Sequence, residues 1–149
     1  MKDFFKIDHS VTGVKGLVYF GKDLLMYKRD NKTEIMPYCF DVPGGGSEYG
    51  ESPFVTFKRE LKEEFGIEID KRDIVYAKKY KHLKEKGKFT YFVVAELPND
   101  IKSEIKFGDE GLGYLFMTEK EFIKNEEIWP IFHQRGIEYF NTKNRSKVV

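Results

Sequence analysis

The most regular alternation of apolar and polar positions lies between Ser52 and Gly66. Apolar side chains return every three or four residues, which is the spacing of one helix face. This face would hold Phe54, Phe57, Leu61 and Phe65. Ser52 is a preferred N-cap, Pro53 suits the first helical position, and Gly66 suits the left-handed residue after the last turn. The pattern predicts an amphipathic helix that begins at Pro53 and ends before Gly66.

Six short segments have the apolar content and the flanking turn residues of β-strands. They are residues 16–20, 24–29, 38–42, 74–81, 89–96 and 114–117. The tripeptide Gly21-Lys22-Asp23 between the first two predicts a β-hairpin. The segment 89–96 is almost continuously apolar, and such a run is typical of a strand that is covered on both faces.

Two more helices are predicted towards the end of the chain. The capping-box pattern Thr118-x-x-Glu121 opens a short helix, and residues 128–140 form an amphipathic segment with several aromatic side chains. The chain has 149 residues, a length that can bury a substantial core in one domain. We therefore expect residues 1–149 to form a single domain.

Composition and charge restrict the possible partners. The net charge is +1, which favours neither a nucleic acid nor a membrane surface as a partner. Cys39 is the only cysteine, so an internal disulfide is excluded and a reducing compartment is indicated. No apolar leader segment opens the sequence, and no run approaches the roughly twenty apolar residues of a membrane span. We expect a cytoplasmic protein.

The acidic face of the predicted helix is the candidate for chemistry. Glu60, Glu63 and Glu64 are three and four residues apart, so their carboxylates project from one side. Like charges at this spacing destabilise an isolated helix by roughly 0.2–0.5 kcal/mol per pair. Hard divalent cations such as Mg²⁺ take oxygen ligands and would compensate this cost. From spacing alone, the face is either a metal site or an acidic surface in contact with water.

A longer motif around this helix resembles a known family. Gly45 is followed by five residues, Glu51, seven residues, and then the run Arg59-Glu60-Leu61-Lys62-Glu63-Glu64-Phe65-Gly66-Ile67. These residues fill every fixed position of the Nudix box, GX5EX7REUXEEXGU, in which U is a bulky aliphatic residue. The chain is therefore identified as a member of the Nudix hydrolase family. The resemblance implies an α/β protein, an α/β/α sandwich with a mixed, partly barrel-like central sheet.

The resemblance also implies roles for individual residues. Glu63 and Glu64 would be the central ligands of Mg²⁺ or Mn²⁺, and Glu60 would share either ligation or the role of base. The carbonyl of Gly44 would be a further metal ligand. Arg59 and Glu51 resemble the family's supporting ion pair, which fixes the loop to the helix.

Family members often place an additional acid in a loop before a late strand. The segment Phe107-Gly108-Asp109-Glu110-Gly111 resembles that loop. We select Glu110 as the additional metal ligand or general base, with Asp109 as its rival. A turn in contact with water is the alternative for both residues.

The resemblance implies hydrolysis of a nucleoside diphosphate linked to another group. The segment FDVPGGG is similar to WxFPGG of MutT-like enzymes, which favours a nucleoside triphosphate, canonical or oxidised, as substrate. Phe40 and Asn125 are the candidate contacts to the base, although Phe40 could instead be a buried strand aromatic.

Other substrates and another class of function stay open. ADP-ribose and nucleotide sugars are the alternative substrates. Residues 82–85 lack the proline or tyrosine that marks some subfamilies, which weakens ADP-ribose and dinucleoside polyphosphates as substrates without excluding them. A non-catalytic nucleotide-sensing module is the alternative of a different class, although such modules commonly have eroded boxes. The family contains monomers and homodimers, and the sequence does not distinguish them.

Overall fold

The computed structural model describes residues 1–32 and 34–148 of the chain, with side chains as far as Arg145. Seven strands form one sheet. They are β1 (Val11–Phe20), β2 (Asp23–Lys28), β3 (Phe40–Asp41), β4 (Gly44–Gly46), β5 (Ile74–Lys81), β6 (Phe89–Leu97) and β7 (Gly113–Met117). The helices are α1 (Pro53–Phe65), α2 (Glu119–Lys124) and α3 (Pro130–Val148), and three short 3-10 turns cover Lys2–Phe5, Lys71–Asp73 and Asn99–Glu104.

The sheet is mixed and open. Strands β1 and β6 pair in parallel along almost their whole length, whereas the other pairings are antiparallel. The main order is β3-β2-β1-β6-β5, with β4 paired to the first half of β1 and β7 paired to β2. Among the described residues the two outer strands of this order do not pair with each other, so the sheet does not close into a barrel.

Helix α1 forms where the apolar pattern predicts it. The Ser52 hydroxyl accepts a hydrogen bond from the Val55 N–H at 3.2 Å, and Gly66 ends the helix with φ 68°. Its apolar side chains Phe57, Leu61 and Phe65 are fully buried. Because these side chains pack on one face of the sheet, the Glu-bearing side of α1 remains available to form a site.

A second layer of helices covers the other face of the sheet. The Thr118 and Glu121 side chains form the predicted capping box at the start of α2. Phe122 of α2 and Phe140 of α3 pack there against Phe92 and Val94 of β6. Val93 and Ala95 of the same strand face the α1 side. The predicted sandwich is confirmed, and β6 is apolar throughout because both of its faces are covered.

Long-range pairing extends some elements beyond their predicted ends. β1 begins at Val11 instead of residue 16, because its first half pairs with β4 and β6. The glycines 44–46 form a short strand. Helix α3 begins at Pro130 and continues past residue 140 to Val148. In the described part of the chain, no helix is both long enough and apolar enough to cross a membrane.

Candidate active site

Arg59 connects helix α1 to the loop that precedes it. Its guanidinium donates two hydrogen bonds to the Glu51 carboxylate, at 2.7 and 3.1 Å, and one to the Gly46 carbonyl at 2.8 Å. It also donates to Glu60 at 3.0 Å and to Glu63 at 3.3 Å. The structure therefore brings together the two residues of the predicted supporting pair and places Glu60 and Glu63, two of the predicted metal ligands, beside them.

The two-pronged contact has an electrostatic consequence for Glu51. This carboxylate is 11% exposed. The Arg59 hydrogen bonds lower the pKa of Glu51 to about 2, with smaller contributions from the Glu48 N–H and the Thr56 hydroxyl. A carboxylate held in this way stays charged over the physiological pH range. The pair thus fixes the loop–helix junction at the edge of the site.

Glu64 lies deeper than the other acids of the box. Its carboxylate accepts a hydrogen bond from the Gly44 N–H at 3.0 Å, and burial raises the pKa of Glu64 to about 8. Gly44 has φ 126°, and a Cβ at that position would lie 2.1 Å from the Val14 carbonyl oxygen. Only glycine can therefore place this N–H against the buried carboxylate.

Gly45 allows Glu60 to approach the backbone of β4. A Cβ at position 45 would lie 2.5 Å from the carboxyl carbon of Glu60. Burial also raises the pKa of Glu60, and the nearby Arg59 opposes that rise. Glu63 is the most exposed of the three acids, with 58% of its side chain accessible. The box therefore presents three carboxylates at three different depths. We refer to Glu60, Glu63 and Glu64 as the acidic wall.

The loop between the Asn99–Glu104 turn and β7 closes over the end of helix α1. The Lys106 N–H donates to the Phe65 carbonyl at 2.8 Å, and the Gly108 N–H donates to the Glu64 carbonyl at 2.8 Å. These bonds place Asp109 and Glu110 on the rim of the cleft that also contains the acidic wall. Both side chains are exposed, so neither is distinguished by burial.

A basic wall faces the acidic one. The fully buried Asp41 carboxylate accepts hydrogen bonds from the Lys15 ammonium at 2.8 Å, the Arg29 guanidinium at 2.9 Å and the Tyr27 hydroxyl at 2.9 Å. The Arg29 guanidinium also lies 4.6 Å from the centre of the Trp129 ring. We refer to Lys15, Arg29 and the Asp41 that holds them as the basic wall. Together the two walls and the rim enclose a cleft of about 580 Å³.

The two predicted base contacts lie elsewhere. Phe40 is half-buried in the second core, with the Lys28 ammonium 5.3 Å from its ring centre. The Asn125 side chain accepts from the Glu127 N–H at 2.8 Å and lies 3.9 Å from the Met117 sulfur. In the described part of the chain, neither residue lines the cleft. Their assignment to the base stays a prediction without a supporting contact.

Comparison with known families and structures adds to this geometry. The model of the NUDIX domain matches residues 10–139. The chain belongs to the NUDIX domain family. The identification as a Nudix hydrolase is thereby confirmed at the level of the family. Among curated proteins, none matches the chain.

Several solved Nudix structures share the fold. A MutT protein from Methanosarcina mazei is 21% identical, with a TM-score of 0.68, over 90% of this chain and 94% of that one. A Caenorhabditis elegans Ap4A hydrolase is 17% identical, with a TM-score of 0.66, over 89% of this chain and 98% of that one. These identities establish a common fold and leave the substrate of this Nudix protein open.

A third structure is a bifunctional NMN adenylyltransferase/ADP-ribose pyrophosphatase from Francisella tularensis, in complex with AMP and a Mn ion. It is 19% identical, with a TM-score of 0.66, and the match covers 89% of this chain and 41% of that one. At 19% identity, this match also shows only that the two proteins share the fold.

Nudix hydrolases generally need a divalent metal, and the donor set here partly fits one. No three His, Cys, Asp or Glu side chains of the described residues lie close enough together to form a complete metal cage. However, Mg²⁺ typically takes only one or two carboxylates and completes its shell with substrate phosphates and water. Glu64 is suited to be one of these carboxylates, because a nearby cation would favour the charged form of its buried side chain. The site therefore fits a metal whose coordination is completed by substrate phosphates and water.

The basic wall was not predicted from the sequence. Lys15 lies in β1, Asp41 in β3 and Arg29 directly after β2, and these positions have no fixed spacing. One signal was available, because Asp41 places a charge inside the otherwise apolar strand segment 38–42. Charged residues are seldom buried unless they are paired, so this position indicates a buried carboxylate with a cationic partner.

Proposed function

We propose that this Nudix protein hydrolyses a phosphoanhydride bond in a nucleoside diphosphate linked to another group, with Mg²⁺ or Mn²⁺ as cofactor. The observation that carries the proposal is that residues of the acidic wall and of the basic wall line one cleft. A diphosphate bound there would meet both cations and metal-binding carboxylates. Phosphoryl transfer depends mainly on such positioning and charge neutralisation.

Each wall would contribute differently. Glu60, Glu63, Glu64 and the Gly44 carbonyl would hold the cation, with Glu110 as a further ligand. When bound, a divalent cation neutralises the diphosphate and lowers the pKa of an attacking water. Arg59 and Glu51 would keep the acids in place through their mutual hydrogen bonds. Arg29 would contact the phosphates, since it lines the cleft and Asp41 fixes its guanidinium there.

A carboxylate must also accept the proton of the attacking water. Glu110 is our candidate and Asp109 is its rival, since both lie on the rim of the cleft and are free of strong ion pairs among the described residues. Glu60 is a third possibility, because it lies within the cleft and burial raises its pKa towards the range of a general base.

A nucleoside triphosphate is the favoured substrate, canonical or oxidised. Support comes from the FDVPGGG segment, whose glycines line the cleft and whose aspartate holds Lys15 and Arg29, and from the fold shared with a MutT protein. ADP-ribose or a nucleotide sugar is the alternative, since a protein with ADP-ribose pyrophosphatase activity shares the fold as well. A nucleotide-sensing module is the alternative of another class, and the intact box argues against it.

The proposal also covers the domain organisation, the oligomeric state and the compartment of the enzyme. We propose a single catalytic domain, a monomer or a homodimer, that acts on a small-molecule nucleotide in the cytoplasm. The lone cysteine supports the reducing compartment.

The direct test is a substrate panel. Release of phosphate and pyrophosphate would be measured with canonical and oxidised nucleoside triphosphates, ADP-ribose, nucleotide sugars and dinucleoside polyphosphates. Each reaction would be run with Mg²⁺, with Mn²⁺ and with EDTA. We expect metal-dependent cleavage, fastest for one of the triphosphates. Cleavage that persists in EDTA, or binding of nucleotides without turnover of any of them, would contradict the proposal.

A further inference from the structure

A second cavity of about 230 Å³ lies between β1, β4, β6 and the first half of α3. It shares Lys15, Gly45 and Gly46 with the cleft described above. A molecule that extends from the cleft past the glycine strand would therefore enter this cavity. Its far wall contains Phe132 and Arg135 of α3.

Arg135 is unusual because it is buried without a salt bridge among the described residues. The residue is 7% exposed, and its one hydrogen bond, to the Thr90 hydroxyl, is 3.5 Å long. The guanidinium lies over two aromatic rings, 4.1 Å from the centre of Tyr80 and 5.7 Å from that of Phe132. Burial lowers the pKa of Arg135, and the nearby Tyr80 and Glu138 oppose this shift. The Glu138 carboxylate is itself paired with Lys78.

This arrangement leaves hydrogen-bonding capacity unused. A guanidinium carries five N–H donors in a planar fork and has no acceptor. No Arg135 nitrogen is among the fully buried polar atoms that lack a partner in the described part of the chain, so its unused donors can be reached from the cavity that Arg135 lines. A ligand that binds them must present acceptors, and a planar pair of acceptors would fit the fork best.

The rest of the cavity favours a flat ring over a phosphate. Its walls combine glycine backbone with the aromatic side chains of Tyr91 and Phe132, and nucleobases stack readily on aromatic side chains. Lys15 adds no free donor, because its ammonium already donates to Tyr27, Asp41 and the Val42 carbonyl. A doubly charged phosphate would thus find free cationic donors only on Arg135, in an otherwise largely apolar space.

We propose that this cavity binds the nucleobase of the substrate and that Arg135 selects guanine through the O6 and N7 acceptors. Guanine presents two adjacent acceptors on that edge, whereas adenine presents N7 beside an amino donor that arginine cannot accept. The inference rests on the proposed nucleotide substrate and specifies its base.

The first test uses the unmodified protein and four triphosphates. Hypoxanthine keeps O6 and N7, so ITP should match GTP in kcat/KM. ATP should be poorer by roughly ten- to hundredfold, the value of one good bidentate contact. The 7-deaza analogue of GTP lacks the N7 acceptor and should fall between GTP and ATP. Equal kcat/KM for GTP, ATP and 7-deaza-GTP would overturn the inference even if hydrolysis itself is confirmed.

Variants of Arg135 separate base selection from structure. Arg135→Met keeps the length of the side chain and removes its donors, so GTP should fall to the level of ATP while ATP changes little. Arg135→Lys keeps the charge without the fork and should also lose the preference. Arg145→Met, at an exposed position of the same helix, is the matched control. Equal losses for all bases would instead indicate a phosphate contact and contradict the inference.

Binding without turnover distinguishes the inference from the proposed function. Titration calorimetry of GMP and AMP in EDTA needs neither a metal nor a scissile bond. Tighter binding of GMP that disappears in Arg135→Met would support base selection even if no triphosphate were hydrolysed. Equal affinity for GMP and AMP in the unmodified protein would overturn it.

Discussion

The two walls of the cleft differ in how they are built. The acidic wall comes from one helix, whose repeat places three carboxylates on one side. Arg59 of the same helix holds Glu60 and Glu63, and the Gly44 N–H holds Glu64. The basic wall comes from β1, β3 and the residue that follows β2, and it centres on Asp41, which accepts hydrogen bonds from Lys15 and Arg29. One wall is a local feature of the sequence, and the other exists only after the sheet has formed.

This difference separates two kinds of catalytic requirement. A metal site needs several oxygen ligands at short mutual distances, and a single helix face can supply them through its repeat. A phosphate site needs cations whose position is fixed and whose charge is partly balanced. Asp41 meets this need, since one buried carboxylate orients both Lys15 and Arg29. We expect the acidic wall to govern turnover and the basic wall to govern affinity.

The strongest test of this division is Glu63→Gln. The substitution preserves the size of the side chain and removes one negative charge from the acidic wall. Since Glu63 is 58% exposed, the fold should be retained. We expect kcat with Mg²⁺ to fall by at least roughly a hundredfold. Even the loss of a residue that only supports a metal ligand costs roughly ten- to hundredfold, and Glu63 is proposed as a ligand itself. Steady-state kinetics and a Mg²⁺ titration would measure both effects.

The control for this experiment is Glu68→Gln. Glu68 follows the same helix, is mostly exposed and lies 3.5 Å from Lys62, so its loss should leave kcat unchanged. Turnover of Glu63→Gln near that of the control would show that the metal is held elsewhere.

Asp41→Asn tests the basic wall. Without the carboxylate, Lys15 and Arg29 lose the group that orients them and repel each other. We expect KM to rise by roughly thirtyfold, equivalent to about 2 kcal/mol for a hydrogen bond to a charged group, with a smaller change in kcat. Full kinetic curves would separate the two parameters, and thermal unfolding would measure the accompanying loss of stability.

Asp100→Asn serves as its control, because Asp100 is exposed and outside the cleft. If Asp41→Asn lowered kcat as much as Glu63→Gln does and left KM unchanged, the assignment of affinity to the basic wall would be wrong.

The same contrast explains how much of the fold could be predicted from the sequence. Helix α1 was predicted with its N-cap and its last residue, because Ser52, Pro53 and Gly66 act within one turn of the helix. The start of β1 was not predicted, because residues 11–15 are strand only through pairing with β4 and β6. Signals that act within a few residues can be recognised in the sequence, whereas pairing between distant segments cannot.

The site follows the same rule. Glu51, Arg59, Glu60, Glu63 and Glu64 were found because their spacing is fixed in one motif. Arg135 was not found, because its significance depends on burial against Tyr80 and Phe132, which lie on other elements or turns. The sequence does not show which cationic side chains have hydrogen-bond acceptors. In the folded chain Arg59 donates to several acceptors, whereas Arg135, among the described residues, has one long hydrogen bond.

The smallest predicted effect is a loss of stability when the Glu51–Arg59 ion pair is removed. Because the folded pKa of Glu51, about 2, lies below its ordinary value of 4.5, the unfolded state binds more protons between these values. The contribution of Glu51 is therefore complete above about pH 4.5 and is lost as the pH falls towards 2. We expect Glu51→Gln to lower the free energy of unfolding by about 1 kcal/mol near pH 6, a small value because the pair is partly exposed.

Urea unfolding of both proteins from pH 6 to pH 2 would measure this difference, which should shrink steadily below pH 4.5. Glu48→Gln is the matched control, because Glu48 lies 3.8 Å from the same arginine but is 68% exposed. An exposed ion pair contributes little, so this variant should follow the unmodified protein at every pH. If Glu51→Gln behaved like Glu48→Gln, Arg59 would hold the acidic wall through its bonds to Glu60, Glu63 and Gly46 alone.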